Sequence, residues 1–235
     1  MKIDRKSRPV ARRVQKRGQL KKAHYTSAGG AHVMQLESRL EASAAIAMGL
    51  DPRVRSIRSQ PMTFDLATGR TYPSVEALQA AQKLYGFRPI KYTPDFEVDL
   101  GGPKVLIEVK HRKLITLNPK ILSYPSALAR YGYRLAIFDD HILDENFVRN
   151  MRLLNIAKST RALGDDTEAL TTFCGSLVPY AHLLAAGFSE ATVLTAIAYG
   201  KLTCDVRSSR LNHDTLLSSE GDTSAHLKEL PLVCY

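Results

Sequence analysis

The alternation of hydrophobic and polar side chains predicts a β-hairpin between Tyr92 and Lys110. Residues 96–100 alternate between apolar and acidic side chains, as in a strand with one covered face. Residues 105–107 form an unbroken apolar run, which is typical of a strand buried on both faces. The Gly-Gly-Pro sequence at 101–103 supplies the turn between the two strands.

Similar patterns predict further elements on both sides of this hairpin. An apolar stripe that begins at Gln35 predicts a helix ending at Gly49, and Ser74 and Gly86 are natural ends for another helix. In chain order we expect a linker or loop at 23–34, a helix at 35–49, an extended segment at 54–66 with a turn at 65–69, a helix at 75–85, the hairpin, a helix at 119–131 broken at Pro125, and a buried strand at 134–138. This order predicts an α/β fold with a mixed sheet, bounded near Ile142.

The second half of the chain has a helical pattern. The expected elements are a helix capped by Asp144, two helices at 177–186 and 190–199 joined by a turn at Gly187 with Ser189 as the cap, and two strands at 203–206 and 215–217. Together they give the outline of a winged helix-turn-helix.

This outline does not by itself indicate DNA reading. The second of the paired helices, residues 190–199, has no Lys or Arg, and the first basic residue after it is Lys201. A helix in the major groove normally brings basic residues with it, so we favour a protein-docking module. Arg207 and Arg210 leave contact with the DNA backbone open.

Composition limits the class of protein. The chain has 235 residues, 44% of them apolar, enough for one ordinary domain and a small second one. No apolar run approaches the ~18–20 residues that span a bilayer, and no secretory signal follows the basic N-terminus. Cys174, Cys204 and Cys234 lie far apart without paired spacing, which indicates a reducing compartment such as a cytoplasm and argues against a disulfide framework or a zinc site.

The net charge of +10 is concentrated at the N-terminus. Residues 1–22 hold ten Lys or Arg and one Asp, so this arm carries nine of the ten positive charges. An arm of this kind would follow a phosphate backbone with salt-dependent and largely sequence-independent affinity. A solubilising tail and an acidic protein partner are the alternatives. The candidate DNA-binding residues are Arg5, Lys6, Arg8, Arg12, Arg13, Lys16, Arg17, Lys21 and Lys22 in the arm, and Arg112 and Lys113 after the hairpin.

The hairpin carries the candidate chemistry. Glu108 and Lys110 are two residues apart on its second strand, so their side chains point to the same side. Asp95 at the mouth of the first strand can meet Glu108 across the hairpin and hold a hard divalent cation through oxygen ligands. Lys110 can then position a water molecule or stabilise charge on a phosphate. A salt bridge at the rim of a sheet is the alternative reading of the same three residues.

Two acidic residues on the first predicted helix could join this set. Glu37 and Glu41 are four residues apart on one helix face, where like charges slightly destabilise a helix. A solvated pair of glutamates is the default explanation. A metal ion is one positive partner that would relieve them.

Four pieces of sequence, taken together, resemble the TnsA family, the endonuclease subunit of heteromeric Tn-seven-type transposases. The pieces are Leu40-Glu41, the segment Ser56-Ile57-Arg58-Ser59-Gln60-Pro61, the segment Tyr92-Thr93-Pro94-Asp95-Phe96, and the segment Val105-Leu106-Ile107-Glu108-Val109-Lys110. The similarity covers roughly residues 35–140. It implies a restriction-endonuclease-like mixed sheet flanked by helices, followed by a winged-helix domain whose match here is architectural only.

The resemblance also implies a role for individual residues. Glu41, Asp95 and Glu108 would hold Mg²⁺, for which Mn²⁺ could substitute, together with the main-chain carbonyl of Val109, and Lys110 would be the catalytic lysine. Gln60 lies in a matching piece to which we assign no chemical role. The chain would then consist of an arm and linker at 1–34, a catalytic domain at 35–142, a winged-helix-like domain at 143–219, and a tail at 220–235 that is either disordered or docks a partner.

The implied activity is hydrolysis of the phosphodiester at the 5′ ends of a transposon during cut-and-paste excision. The implied partners are double-stranded DNA at the transposon ends, a DDE-family transposase that processes the 3′ ends, and an ATPase regulator. Two alternatives stay open. One is a stand-alone nuclease of the restriction, repair or junction-resolving type, and the other is a DNA-binding regulator with a vestigial nuclease core.

Overall fold

A computed structural model describes residues 24–28, 32–102 and 104–232, with main-chain detail only at His24, Tyr25, Ser27, Ala28 and His32. Within these residues the strands are β1 (His24–Ala28), β2 (His32–Leu36), β3 (Ser56–Ser59), β4 (Thr63–Asp65), β5 (Arg70–Tyr72), β6 (Lys91–Tyr92), β7 (Phe96–Asp99), β8 (Val105–Val109), β9 (Arg134–Phe138), β10 (Val178–Pro179) and β11 (Leu216–Leu217). The α-helices are α1 (Arg39–Leu50), α2 (Val75–Tyr85), α3 (Arg112–Leu117), α4 (Tyr124–Ala129), α5 (Glu145–Thr160), α6 (Asp165–Cys174), α7 (Tyr180–Ala185) and α8 (Glu190–Ala198). Short 3₁₀ helices span Pro119–Ser123 and Ala225–Leu227.

The predicted hairpin lies at the centre of a four-stranded mixed sheet with the order β3-β7-β8-β9. β7 is antiparallel to both β3 and β8, and β9 is parallel to β8. Every residue of β8 is buried, as the apolar run predicts for a strand covered on both faces. The α/β class and the mixed sheet are thus confirmed.

A second sheet, with the order β5-β4-β6, lies beside the first. Its strand β6 pairs Tyr92 with Phe64 of β4, so the extended run from Tyr92 to Leu100 is divided between two sheets. Pro94 accounts for the division, because proline cannot donate a ladder hydrogen bond and disfavours a central strand. The side chains of Phe64, Tyr92 and Leu128 pack into a small core of their own.

The prediction of a linker or loop at 23–34 is wrong for the described part of that range. β1 and β2 form an antiparallel hairpin there, with Thr26 opposite Met34. Both of these side chains are buried, and β1 packs against α1, so tertiary contact decides the structure of a segment with little strand pattern. The helix after it begins at Arg39 instead of Gln35, because Ser38 caps it, and it continues through Gly49 to Leu50.

Local end signals place several helices correctly. Ser74 accepts a hydrogen bond from Ala77 N, and Gly86 ends α2 in the left-handed conformation at φ 67°. Asp144 and Ser189 likewise cap α5 and α8. The helical segment near Pro125 divides at Tyr124, where a 3₁₀ turn gives way to α4. The patterns do not predict α3 or α6.

The predicted pair of wing strands is found only in part. The second strand is present as β11, but it pairs with β10, which lies in the range expected to be helical. The first, expected at 203–206, is reduced to a single antiparallel bridge between Thr203 and Ser218. The carboxamide of Asn150 binds Val206 O, Ser209 O and Leu211 N at 2.8–3.0 Å. These bonds hold the segment 206–211 against α5, where it cannot form a ladder with 215–217.

One hydrophobic core extends through both halves of the chain. It joins side chains of the main sheet, such as Phe96 and Phe138, to Leu154 of α5 and Ile197 of α8. Seven of the nine residues of α8 are buried, so this helix has no free face to insert into a DNA groove. Leu227, Leu230 and Leu232 of the tail pack on the same core, so the described part of the tail belongs to the fold.

None of the helices among the described residues is both long enough and apolar enough to cross a bilayer.

Candidate functional site

The central hairpin brings Asp95 and Glu108 together. β7 pairs with β8 so that Phe96 is opposite Ile107. The next pair in this antiparallel register is Asp95 and Glu108, so these two residues also lie opposite each other. Asp95 Oδ2 accepts a hydrogen bond of 2.8 Å from Val109 N. Both carboxylates are buried, with exposures of 6% for Asp95 and 5% for Glu108.

Glu108 has two polar neighbours in the site. Lys110 Nζ lies 3.3 Å from Glu108 Oε1, and Tyr92 Oη donates a hydrogen bond of 3.0 Å to Glu108 Oε2. Lys110 follows β8 at the edge of the buried region, and its side chain is 40% exposed. The ammonium group is thus within reach of both the buried carboxylates and a molecule that approaches from outside.

The N-terminus of α1 positions Glu41. Ser38 Oγ accepts a hydrogen bond of 3.1 Å from Glu41 N and donates one of 2.8 Å to Glu41 Oε1. Glu37 N donates a hydrogen bond of 2.9 Å to Glu41 Oε2. This reciprocal arrangement is a variant of the capping box, so Glu41 stabilises the start of the helix as well as adding negative charge to the site.

The charges of the three carboxylates act on one another. Burial raises the pKa of Asp95 well above its usual range, and the negative charges of Glu108 and Glu41 raise it further. Burial likewise raises the pKa of Tyr92, with Glu108 adding to the effect. For Lys110, burial acts to lower the pKa, but Glu108, Asp95 and Glu41 outweigh it and the net shift is upward. Lys110 is therefore held as a cation.

The protein's own donors already occupy each carboxylate. Among the described residues, no group of three or more His, Cys, Asp and Glu side chains is arranged to hold a metal ion. The donor set nevertheless has the chemistry of a hard cation site, because it consists of carboxylate oxygens whose repulsion a single lysine does not cancel. A divalent cation would relieve the same repulsion that raises the pKa of Asp95.

Sequence reasoning gives two residues of this site no role. The hairpin pattern marks Tyr92 only as its start, and the contact of the Tyr92 hydroxyl with Glu108 depends on the boundary between the two sheets, which has no local signal. Gln60 follows β3, and its main-chain N donates a hydrogen bond of 2.8 Å to Asp95 O. Its position in the Arg58-Ser59-Gln60-Pro61 piece is the one available signal.

Arg112 and Lys113 begin α3, directly after the site. Arg112 N donates a hydrogen bond of 2.6 Å to Asp140 Oδ1, and Arg112 Nε lies 3.8 Å from Asp139 Oδ2. His111 caps α3 and lies 3.2 Å from Asp140 through Nε2. All three side chains are exposed, so the acidic partners of His111 and Arg112 orient these two without burying them. The other predicted DNA-binding residues, from Arg5 to Lys22, lie outside the described residues.

A basic groove of about 550 Å³ lies at the C-terminal end of α2. Its lining is cationic, polar and aromatic without a carboxylate, and consists of Gln79, Gln82, Lys83, Gly86, Phe87, Arg88 and Lys91. Sequence reasoning does not identify this groove, because its three cations are separated along the chain.

Asp65 fixes the groove relative to the carboxylates. Its Oδ1 accepts a hydrogen bond of 2.9 Å from Ile90 N, next to Lys91. Lys91 is followed directly by Tyr92, whose hydroxyl binds Glu108. The basic groove is thus joined to the acidic site through one short strand.

Comparison of the chain with known protein families and with curated proteins finds no match.

Proposed function

We propose that the protein is a divalent-cation-dependent DNA endonuclease. The observation that carries the proposal is the meeting of Asp95, Glu108 and Lys110 at the mouth of the buried hairpin, within electrostatic reach of Glu41. Carboxylates that hold a hard cation beside a lysine are suited to hydrolysis of a phosphodiester, where negative charge develops on oxygen.

The fold supports a more specific proposal. A mixed sheet whose central hairpin carries the acidic residues, with α1 packed against it, is consistent with a restriction-endonuclease-like core. We propose that the C-terminal part is a winged-helix-like module of the TnsA type. The burial of α8 supports a role in docking protein instead of reading DNA bases.

In the proposed mechanism Asp95, Glu108 and Glu41, with the Val109 carbonyl, would hold Mg²⁺ or Mn²⁺. The bound cation would polarise the phosphodiester and lower the pKa of a water molecule. Lys110, kept protonated by its acidic neighbours, orients that water or stabilises the negative charge that develops on the phosphate. The hydrolysis requires no covalent bond to the protein.

The basic groove supports a path for DNA to this site. Lys83, Arg88 and Lys91 line the groove and precede Tyr92 in the chain, and Arg112 and Lys113 are exposed and follow Lys110. Phosphates of one duplex could contact both groups and so bring a phosphodiester to the carboxylates. The arm at residues 1–22 would add affinity that does not depend on sequence.

We further propose that the nuclease is one subunit of a heteromeric transposase in the bacterial cytoplasm, associated with the nucleoid when active. It would cut the 5′ ends of a transposon in double-stranded DNA, together with a DDE-family transposase and an ATPase regulator. The burial of α8 supports this dependence on partners, because the helix that would read bases in a winged helix-turn-helix is packed into the core.

A paired nicking assay tests the proposal. The substrate is DNA with the element's ends, with Mg²⁺, with and without the neighbouring transposase. Wild type is compared with Lys110→Ala and with Lys104→Ala, a control on the same hairpin whose ammonium pairs with Glu97 at 2.9 Å instead of with Glu108. We expect wild type and Lys104→Ala to nick the 5′ ends only with the partner, and Lys110→Ala to be inactive.

Each other outcome has a defined meaning. Strong cleavage by wild type alone would indicate a stand-alone nuclease. Cleavage by Lys110→Ala at the wild-type rate would show that the hairpin is structural and that the proposed mechanism is wrong.

A further inference from the structure

Gln60 has an unusual backbone conformation beside the carboxylates. Its φ is 43°, and Leu177 is the other non-glycine residue with a positive φ among the described residues. A residue with a Cβ adopts this region at a cost, and such positions concentrate at functional sites. Gln60 is also 2% exposed, so neither a surface turn nor solvent accounts for the conformation.

The hydrogen bonds of Gln60 connect two of the proposed cation ligands. Its main-chain N binds Asp95 O at 2.8 Å, and its Nε2 donates a hydrogen bond of 3.2 Å to Glu37 Oε1. Glu37 N in turn binds the Glu41 carboxylate at 2.9 Å. Gln60 therefore extends from the main chain of Asp95 to the turn that holds Glu41.

The other end of the carboxamide is unsatisfied. Gln60 Oε1 is buried and has no hydrogen-bond partner among the described residues. The contact with Glu37 settles which end is oxygen, because only the NH₂ group can donate to a carboxylate. A buried acceptor without a donor is unfavourable, and most such groups in proteins bind an ordered water.

We propose that Gln60 is a positioning residue of the cation site, and that its Oε1 accepts a hydrogen bond from a water molecule bound to the divalent cation. The inference rests on the proposed function, since it needs a cation between the carboxylates. Mg²⁺ usually keeps several of its waters when it binds to protein, and such a water can donate a hydrogen bond to a nearby oxygen acceptor. The strained main chain then fixes that oxygen relative to Asp95.

This role differs from a purely structural one. The main-chain N and Nε2 of Gln60 already hold β3 and the α1 turn to the hairpin, and neither bond requires a buried free oxygen. A methionine at this position keeps the length of the side chain and removes both polar atoms. Gln60→Met therefore leaves apolar packing in place but removes the Nε2 bond to Glu37 together with the acceptor. Gln60→Glu lacks the same bond and keeps an oxygen acceptor, so it separates the two effects.

The test measures Mn²⁺ binding by titration calorimetry, without DNA and without cleavage. The proteins are wild type, Gln60→Met, Asp95→Ala and the control Glu168→Met, which replaces an exposed side chain on α6. We expect Gln60→Met to weaken Mn²⁺ binding by about 10- to 100-fold, the usual effect of losing a group that supports metal ligands. Glu168→Met should bind as wild type does, and Asp95→Ala should not bind measurably.

A melting curve of each protein in chelator shows whether Gln60→Met is folded. Folded Gln60→Met with the wild-type dissociation constant would overturn the role of Gln60 and leave the proposed nuclease intact. Gln60→Glu gives a second measurement, because it keeps an oxygen acceptor, and its affinity should exceed that of Gln60→Met. Absence of Mn²⁺ binding by wild type would overturn both proposals.

Discussion

Asp95→Asn is expected to stabilise the cation-free protein at neutral pH. Asp95 is buried beside Glu108 and Glu41, and burial together with these two charges raises its pKa. Asparagine has nearly the same shape and keeps an oxygen that can accept the hydrogen bond from Val109 N. The substitution removes the charge and little else.

The sign and size of the effect follow from proton linkage. Because the pKa of Asp95 is raised in the folded protein, its contribution to stability is fully present below the pKa of the unfolded chain. That contribution is lost as the pH rises through the folded pKa. Each unit of pKa difference corresponds to about 1.4 kcal/mol. For a chain of this length 1 kcal/mol shifts the melting temperature by about 2–4 °C, so each unit gives about 3–5 °C.

Thermal melting in chelator at pH 8 and at pH 5 measures the effect. Asp95→Asn should melt above wild type at pH 8, and the difference should be smaller at pH 5. Adding Mn²⁺ at pH 8 should raise the melting temperature of wild type more than that of the variant, since binding to the folded state stabilises it. Asp99→Asn is the control, because Asp99 lies at the outer end of β7 and bonds to the turn at Gly101 N.

A melting temperature of Asp95→Asn at or below that of wild type in chelator at pH 8 would refute this reasoning. It would mean that the hydrogen bond to Val109 N depends on the full charge of Asp95 and outweighs the repulsion among the carboxylates.

Further predictions concern the DNA path and the fold. Replacing Lys83, Arg88 and Lys91 by Gln should make the slope of log affinity for duplex DNA against log salt shallower by about 0.9 for each phosphate that the variant no longer neutralises. Deleting residues 1–22 should flatten the same slope, since that arm carries nine positive charges. Asn150→Leu should lower the free energy of unfolding in urea by at least about 2 kcal/mol, because it leaves buried main-chain groups without partners.

Matched variants separate these effects from general ones. Arg149, Arg152 and Lys201, all on the C-terminal half, can be replaced together by Gln for the same reduction in charge. The salt slope should then stay near that of wild type. An equal change of slope in both triple variants would show that the groove does not contact DNA. An unchanged slope after the deletion would show that the arm does not contact DNA. Asn146→Leu should lower the free energy of unfolding by less than Asn150→Leu does, since the contacts of Asn146 with Arg207 O and Ser208 O are longer and partly exposed.

Local signals in the sequence predicted the local parts of the fold. The helix between Ser74 and Gly86 and the hairpin at Asp95 and Glu108 are specified by caps, turns and alternation that each lie within a few residues. The meeting of the two acidic residues could be predicted because it depends only on the register of a short hairpin. The part of the site that the sequence predicted is the part built by one supersecondary element.

The errors and omissions have a different physical origin. β1 and β2 form because Thr26 and Met34 are buried in the fold, which no pattern within 23–34 indicates. The predicted strand at 203–206 is limited to one bridge, from Thr203 to Ser218, because a distant residue, Asn150, holds the segment that follows it. The positions of Tyr92 and Gln60 beside the carboxylates likewise depend on how two sheets and a helix meet.

The continuous core limits how this protein can be controlled or recombined. α1 begins at the turn that holds Glu41 and packs along α5, which packs on α8, so in the described part of the chain the two halves share one core. Close-packed interiors transmit small displacements, so a proposed partner that bound the C-terminal helices would displace the carboxylates through this packing. The same packing means that exchange of the C-terminal half with that of a relative would have to preserve the shapes on both sides of the α1–α5 contact. The two halves are therefore expected to be inherited as a unit.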